Sequence, residues 1–159
     1  SSAIIFTSQI KLGGMTSIYF ILLLSFNFNA DIKAVVKEYH ALTNEVSEIS
    51  FIHKYHGSKD ASVMAYVTSI AMKQAEYTPN PLRKLQLFQE NKKILNQLID
   101  THRTNIHLRY VRLLSQENTP YFLGYNEHIE EDKLILKNIL EVEDETDYLD
   151  YFIRANTSL

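Results

Sequence analysis

Apolar positions return every three or four residues through most of the chain beyond Asp31, a period that predicts one helix after another. Ile32, Val35, Val36, Tyr39, Leu42, Val46 and Ile49 fall on one face of a first helix, with Lys33, Lys37, Glu38 and Glu45 on the other side. From about Ser58 to Glu76, Val63, Tyr66, Val67, Ile70 and Ala71 mark one face, while Ala61, Ala65, Ser69, Met72 and Ala75 line a second with mostly small residues. A helix apolar or small on most sides is expected to lie between others. Thr78-Pro79-Asn80-Pro81 is a boundary: Asn80 suits an N-cap, and Pro81 suits the first helical position, where a missing N–H costs nothing. The next helix is expected to about Ile99, with Leu85, Leu87, Phe88, Ile94, Leu95, Leu98 and Ile99 inward. After a polar turn over 100–104, Asn105 caps a helix through Glu117, and Asn118-Thr119-Pro120 breaks it. Asn126 starts a further helix with Glu127, Glu130 and Glu131 at the favourable end of its dipole. A last one, about Thr146 to Ala155, offers Tyr148, Leu149, Phe152 and Ile153. No stretch alternates long enough to argue a strand. The pattern predicts an all-α fold of about six amphipathic helices joined by short turns.

Two expected helix pairs, 58–76 with 81–99 and 105–117 with 126–140, follow each other at an offset of roughly 45 residues, the scale of helical-repeat architectures. The link Leu98-Ile99-Asp100-Thr101-His102-Arg103-Thr104-Asn105-Ile106-His107-Leu108-Arg109 resembles the passage between successive repeats of the tetratricopeptide family. Arg103 stands where that family usually has proline and His107 where it has an acid, and the family's Trp-x-x-Leu-Gly-x-x-Tyr element is missing. The resemblance covers residues 56–140 and implies antiparallel helix pairs stacked side by side. A second resemblance rests on Asn80-Pro81, Lys92-Lys93, Leu108-Arg109-Tyr110-Val111-Arg112, the run from Pro120 to Tyr125, and Asp132-Lys133. Over about residues 50–136 these are similar to a family of small exported bacterial proteins of unknown function. That likeness implies a helical fold and export, and no activity.

The front of the chain differs. Ile18 to Phe26 is apolar except for Tyr19 and Ser25, Ala30 follows as a small residue, and the composition turns charged at Asp31. A short apolar core before a small residue is what the export machinery reads, and it is short for a bilayer span. With Met15 as the start, the positive charge ahead of it is only the α-amino group; with residues 1–14 included, Lys11 supplies it. Ala30 suits the position before the cut but Phe28, two residues earlier, is bulky, so an uncleaved anchor stands as an alternative to a signal peptide, and a buried core element as another. The expected division is 1–30 as extension and signal segment, and 31–159 as one helical domain.

Composition narrows the function. Beyond residue 30 there are fifteen bases and nineteen acids, a net charge of −4, which gives no electrostatic footprint for nucleic acid or an anionic bilayer. Contact with a membrane is expected only through an uncleaved N-terminal segment. The absence of cysteine excludes disulfides, thiolate zinc sites, a cysteine nucleophile and a lipoprotein's acylated cysteine.

Candidate chemistry is sparse. His53 and His56 stand one helical turn apart but lack a third ligand at matching spacing, and no histidine follows a glutamate by three residues. His102, Arg103 and His107 surround a turn where they form either an anion-binding or pH-sensitive cluster or plain polar capping. Arg109 and Arg112, three apart, can clamp a carboxylate or phosphate, or pair with Glu130, Glu131 or Asp132 of the next helix. The run PYFLGY from Pro120 to Tyr125 is too apolar for a solvent loop; it either docks a partner through Tyr121, Phe122 and Tyr125 or folds back to plug the bundle, with Gly124 in a conformation barred to other residues. Glu141 to Asp150 holds six acids without the glycine of a calcium loop and reads as a solvated face. Asn156-Thr157-Ser158 is a formal glycosylation triplet. Serine elbows, phosphate-cradling loops and dinucleotide fingerprints are missing.

The expectation is an exported, periplasmic or secreted, non-enzymatic module that binds a protein or small ligand, with Arg109, Arg112, Tyr121, Phe122 and Tyr125 as its contacts and neither metal nor cofactor. The alternatives are a membrane-tethered envelope protein and a small histidine-dependent metalloprotein or enzyme.

Overall fold

Short polar side chains set the helix starts. A computed structural model describes residues 30–159, together with the backbone of a two-residue antiparallel pair in which Thr7 faces Ile21 and Ser8 faces Phe20. The rest of the expected signal segment lies outside the described residues. From Ala30 onward every regular element is helical, and the fold is all-α. Asp31 accepts from Lys33 N–H to begin α1 (Ile32–His40), Asp60 from Ser62 N–H to begin α3 (Ala61–Lys73), and Asn80 from the Leu82 and Arg83 amides to begin α4 (Pro81–Thr101). Pro81 takes the first position of α4, as expected. Asn105 accepts from Leu108 N–H at the head of α5 (Ile106–Glu117). The last helices are α6 (Ile129–Ile139), three residues later than Asn126, and α7 (Asp150–Asn156), which follows a 3-10 turn over Asp147–Leu149.

The first expected helix is in fact two. Asn44, extended at φ −157°, exchanges hydrogen bonds with Ser47 in a capping box and opens α2 (Glu45–Tyr55). The break resets the helical phase. Val46 and Ile49, which the continuous period placed inward, are 74% and 40% exposed, and α2 packs through Glu48, Phe51 and Tyr55. The described part therefore has seven α-helices. On α4, Phe88, Leu95 and Ile99 face the core, and Leu85 and Ile94, expected inward, flank that arc and are more than 40% exposed.

The sandwiched helix is α3. It packs against α1, α2, α4 and α5, and every residue from Ser62 to Ile70 except Met64 is buried. Small Ala65 and Ser69 let neighbours approach: Tyr39 Oη lies 3.1 Å from Ser69 Oγ, which lies 3.2 Å from Ser115 Oγ of α5. Asn105 Nδ2 donates to Ser62 Oγ at 2.8 Å. These two bridges, head to head and tail to tail, make α3 and α5 run side by side in the same direction. Helix α4 packs on α3, and α6 on α5.

Both ends of the domain close over this layer. His40 of α1 stacks on Phe152 of α7 with centroids 4.5 Å apart, and Tyr110 of α5 reaches His40 Nε2 at 2.9 Å while donating to the Phe152 carbonyl. Leu149 and Ile153 are fully buried beneath. Among the described residues no helix is long and apolar enough to cross a membrane.

Candidate functional site

The two arginines face inward. Arg109 and Arg112 lie one turn apart on α5, 6% and 3% exposed, opposite the fully buried Asp132 in the first turn of α6. Arg112 grips both carboxylate oxygens of Asp132, Nε to Oδ2 at 2.6 Å and Nη2 to Oδ1 at 2.7 Å. Arg109 Nη1 donates to Asp132 Oδ1 at 3.1 Å and to Glu131 Oε1 at 2.7 Å; its Nε and Nη2 hold the Arg103 carbonyl. Burial disfavours the Arg112 cation, and the Asp132 carboxylate outweighs it, so its pKa is raised. Burial also opposes ionisation of Glu131, but the hydrogen bond from Arg109 prevails and lowers its pKa. The pair spends its donors fastening α6 to α5 and to the preceding turn. One turn beyond Arg112, Gln116 is 3% exposed and neither atom of its amide has a hydrogen-bond partner among the described residues.

The Pro120–Tyr125 loop divides in two. Leu123 is half-buried against the core, and Tyr125 is 3% exposed, with its ring edge-on to Phe88 at 6.0 Å and its hydroxyl donating to Asn96 Oδ1 at 3.2 Å. Burial raises the Tyr125 phenol pKa. Gly124 turns the chain at φ +63°, a left-handed conformation in which a side chain is strained although no atom stands within 4 Å of where its Cβ would be. That turn leaves Tyr121 and Phe122 each 84% exposed. Their placement is fixed from below: Gly124 N–H bonds to the Tyr121 carbonyl at 3.0 Å, and Lys92 Nζ of α4 donates to the Gly124 carbonyl at 3.3 Å while lying over the Tyr125 ring at 5.0 Å. Beside this foot is a shallow depression of about 250 Å³ on α4, lined by Gln89, Lys92, Lys93, Asn96, Gln97 and Asp100.

The histidines are dispersed. His53 and His56 are exposed on α2 and its C-cap, and His56 Nδ1 bonds to the His53 carbonyl. His102 shields the end of α4, its Nδ1 near Thr101 Oγ1 and the Leu98 carbonyl. His107 lies apart from it inside the bundle, 7% exposed, with Nδ1 2.8 Å from Tyr66 Oη and Nε2 2.8 Å from Tyr148 Oη. Burial pushes the His107 pKa down to about 4, against a small opposing pull from Asp60. Burial likewise lowers His40 to about 4 and raises Tyr66 well above an ordinary phenol. Among the described residues no three of His, Asp and Glu gather as a metal site would require.

No family model, no curated protein and no solved structure matches the chain. Function must therefore be read from geometry. Of the five residues singled out in the sequence, Tyr121 and Phe122 share one open edge, Tyr125 anchors that edge from within, and Arg109 and Arg112 sit in the α5–α6 contact. Lys92 and Lys93 join the edge and were missed as site residues: nothing local marks a lysine pair in a charged helix, and only the fold brings it beside the aromatic loop. The edge offers apolar area, cations and amides at a surface, which suits recognition of another molecule.

Proposed function

We propose that the protein is an exported, non-enzymatic helical module that binds a protein partner through the edge formed by Tyr121 and Phe122. The observation that supports this most is that two adjacent aromatics stand 84% exposed on a loop held by a left-handed glycine, a buried tyrosine and a lysine. An exposed aromatic costs solvation free energy, and a chain that needed only a plug would be served by Leu123 and Tyr125 alone. Covering both rings is worth roughly 4 kcal/mol at about 2 kcal/mol for each buried aromatic, or about a thousandfold in affinity. The side-by-side course of α3 and α5, with α4 and α6 packed on them, supports a repeat-like arrangement of two helix pairs offset by 43–46 residues. Export is inferred from the apolar run Ile18–Phe26 followed by Ala30.

The test is cross-linked pull-down from the native envelope with the wild type and with Tyr121→Ala/Phe122→Ala. The double variant should lose its partner while its melting temperature stays nearly unchanged. Equal capture by both proteins, or a collapse of the double variant's stability, would overturn the reading.

A further inference from the structure

The same edge carries a charge that narrows its partner, an inference that rests on the binding reading above. Helix α4 has Arg83, Lys84, Lys92 and Lys93 against Glu90 and Asp100, the largest basic excess of any helix here in a chain whose net charge is −3. Arg83 and Glu90 approach each other at 3.9 Å, whereas Lys92 and Lys93 enter no ion pair among the described residues. Lys92 is one hydrogen bond from the loop that presents Tyr121 and Phe122, and Lys93 is exposed on the face of α4 that the depression follows. One turn to either side of them along the same depression, Gln89, Asn96 and Gln97 offer amides that can pair with an extended backbone.

We propose that the occupant of this edge is an acidic segment of another protein, one that sets an apolar side chain against Tyr121 and Phe122 and carboxylates on Lys92 and Lys93. Cations outside any ion pair beside exposed aromatics select negative charge, since a basic segment would set like charges against each other. An anionic bilayer fits the edge less well. A membrane would meet the whole surface around the loop, which includes the exposed Glu127 and Glu130, and two lysines alone attract a charged leaflet only weakly. A peptide touches the edge alone.

The experiment selects a phage-displayed library of random peptides on the immobilised full chain, then measures synthetic copies of the winners in solution. The expected winners carry net negative charge with at least one aromatic or aliphatic residue. Their affinity should fall with added salt, by at least about tenfold with Lys92→Glu/Lys93→Glu, and further with Tyr121→Ala/Phe122→Ala. Because Lys92 also supports the loop, Lys93→Glu alone, at an exposed position, must weaken binding in the same direction with an unchanged melting curve. Winners that need Tyr121 and Phe122 but are neutral or basic, and are indifferent to the lysine changes, would overturn the acidic class and leave the binding edge standing. Absence of any winner that depends on the aromatic pair would overturn both. Binding to phosphatidylserine vesicles that is lost in the same variants, with no peptide selected, would reassign the edge to membranes and also overturn the proposal.

Discussion

Mild acid should loosen this domain through His107, and the size of the effect follows from its surroundings. The imidazole is 7% exposed between two phenols, and burial lowers its pKa from 6.5 to about 4. The unfolded chain therefore takes up the proton first as pH falls. The stability that neutral His107 contributes is fully present above pH 6.5 and is lost progressively between 6.5 and about 4. With a slope of about 1.4 kcal/mol per pH unit for one site, the loss at about pH 5 comes to roughly 2 kcal/mol. His40, lowered to about 4 as well, adds to the loss over the same window. Urea unfolding followed by circular dichroism at neutral and mildly acidic pH measures the sum, and His107→Gln isolates the residue. Glutamine can still donate to one phenol and accept from the other, but it does not titrate. The carboxylates contribute equally in both proteins, so the wild type should lose about 2 kcal/mol more than the variant between about pH 7 and pH 5. Equal losses, in a variant that is fully folded at neutral pH, would refute the assignment of a neutral buried imidazole.

Two other substitutions probe the α5–α6 contact. Asp132→Ala leaves Arg109 and Arg112 buried without their shared carboxylate and should cost about 3–5 kcal/mol in urea unfolding; a loss within about 1 kcal/mol would mean that the pair is solvated. Gln116→Leu removes a buried amide that has no partner among the described residues and should raise the unfolding free energy by about 1 kcal/mol, whereas a loss would show that the amide is satisfied in solution.

What the sequence revealed depended on how local the cause was. Asn80-Pro81, Asp31, Asp60 and Asn105 act on amides two or three residues away, so their helix starts were legible, or nearly so, from neighbours alone. The break at Asn44 obeys the same rule, but Ser47 stands where a capping box usually has Glu or Gln, and Val46 and Ile49 happen to continue the apolar period of α1. The apolar period thus runs on across the break and hides it. For Arg109 and Arg112 the sequence offered ligand or acid as partner, and only the packing of α6 on α5 brings Asp132 to both. Gly124 was legible because a lone glycine in an apolar run has few other reasons to be there. The split of its loop, Tyr125 in and Tyr121 and Phe122 out, depends on where α4 passes. Tyr66–His107 and His40–Tyr110 join residues 41 and 70 apart, and no spacing rule reaches that far. Glu48 escaped notice for the same reason: it is fully buried, and its donors are Lys73 at the end of the next helix and Gln74 and Tyr77 just after it.

The stacking of His40 on Phe152 ties the first described helix to the last. Without α7 the His40 ring would lose its stacking partner, and the Tyr110 hydroxyl would keep only His40 of its two partners. Loosening of either segment is therefore felt at the other, however far apart the two lie along the chain.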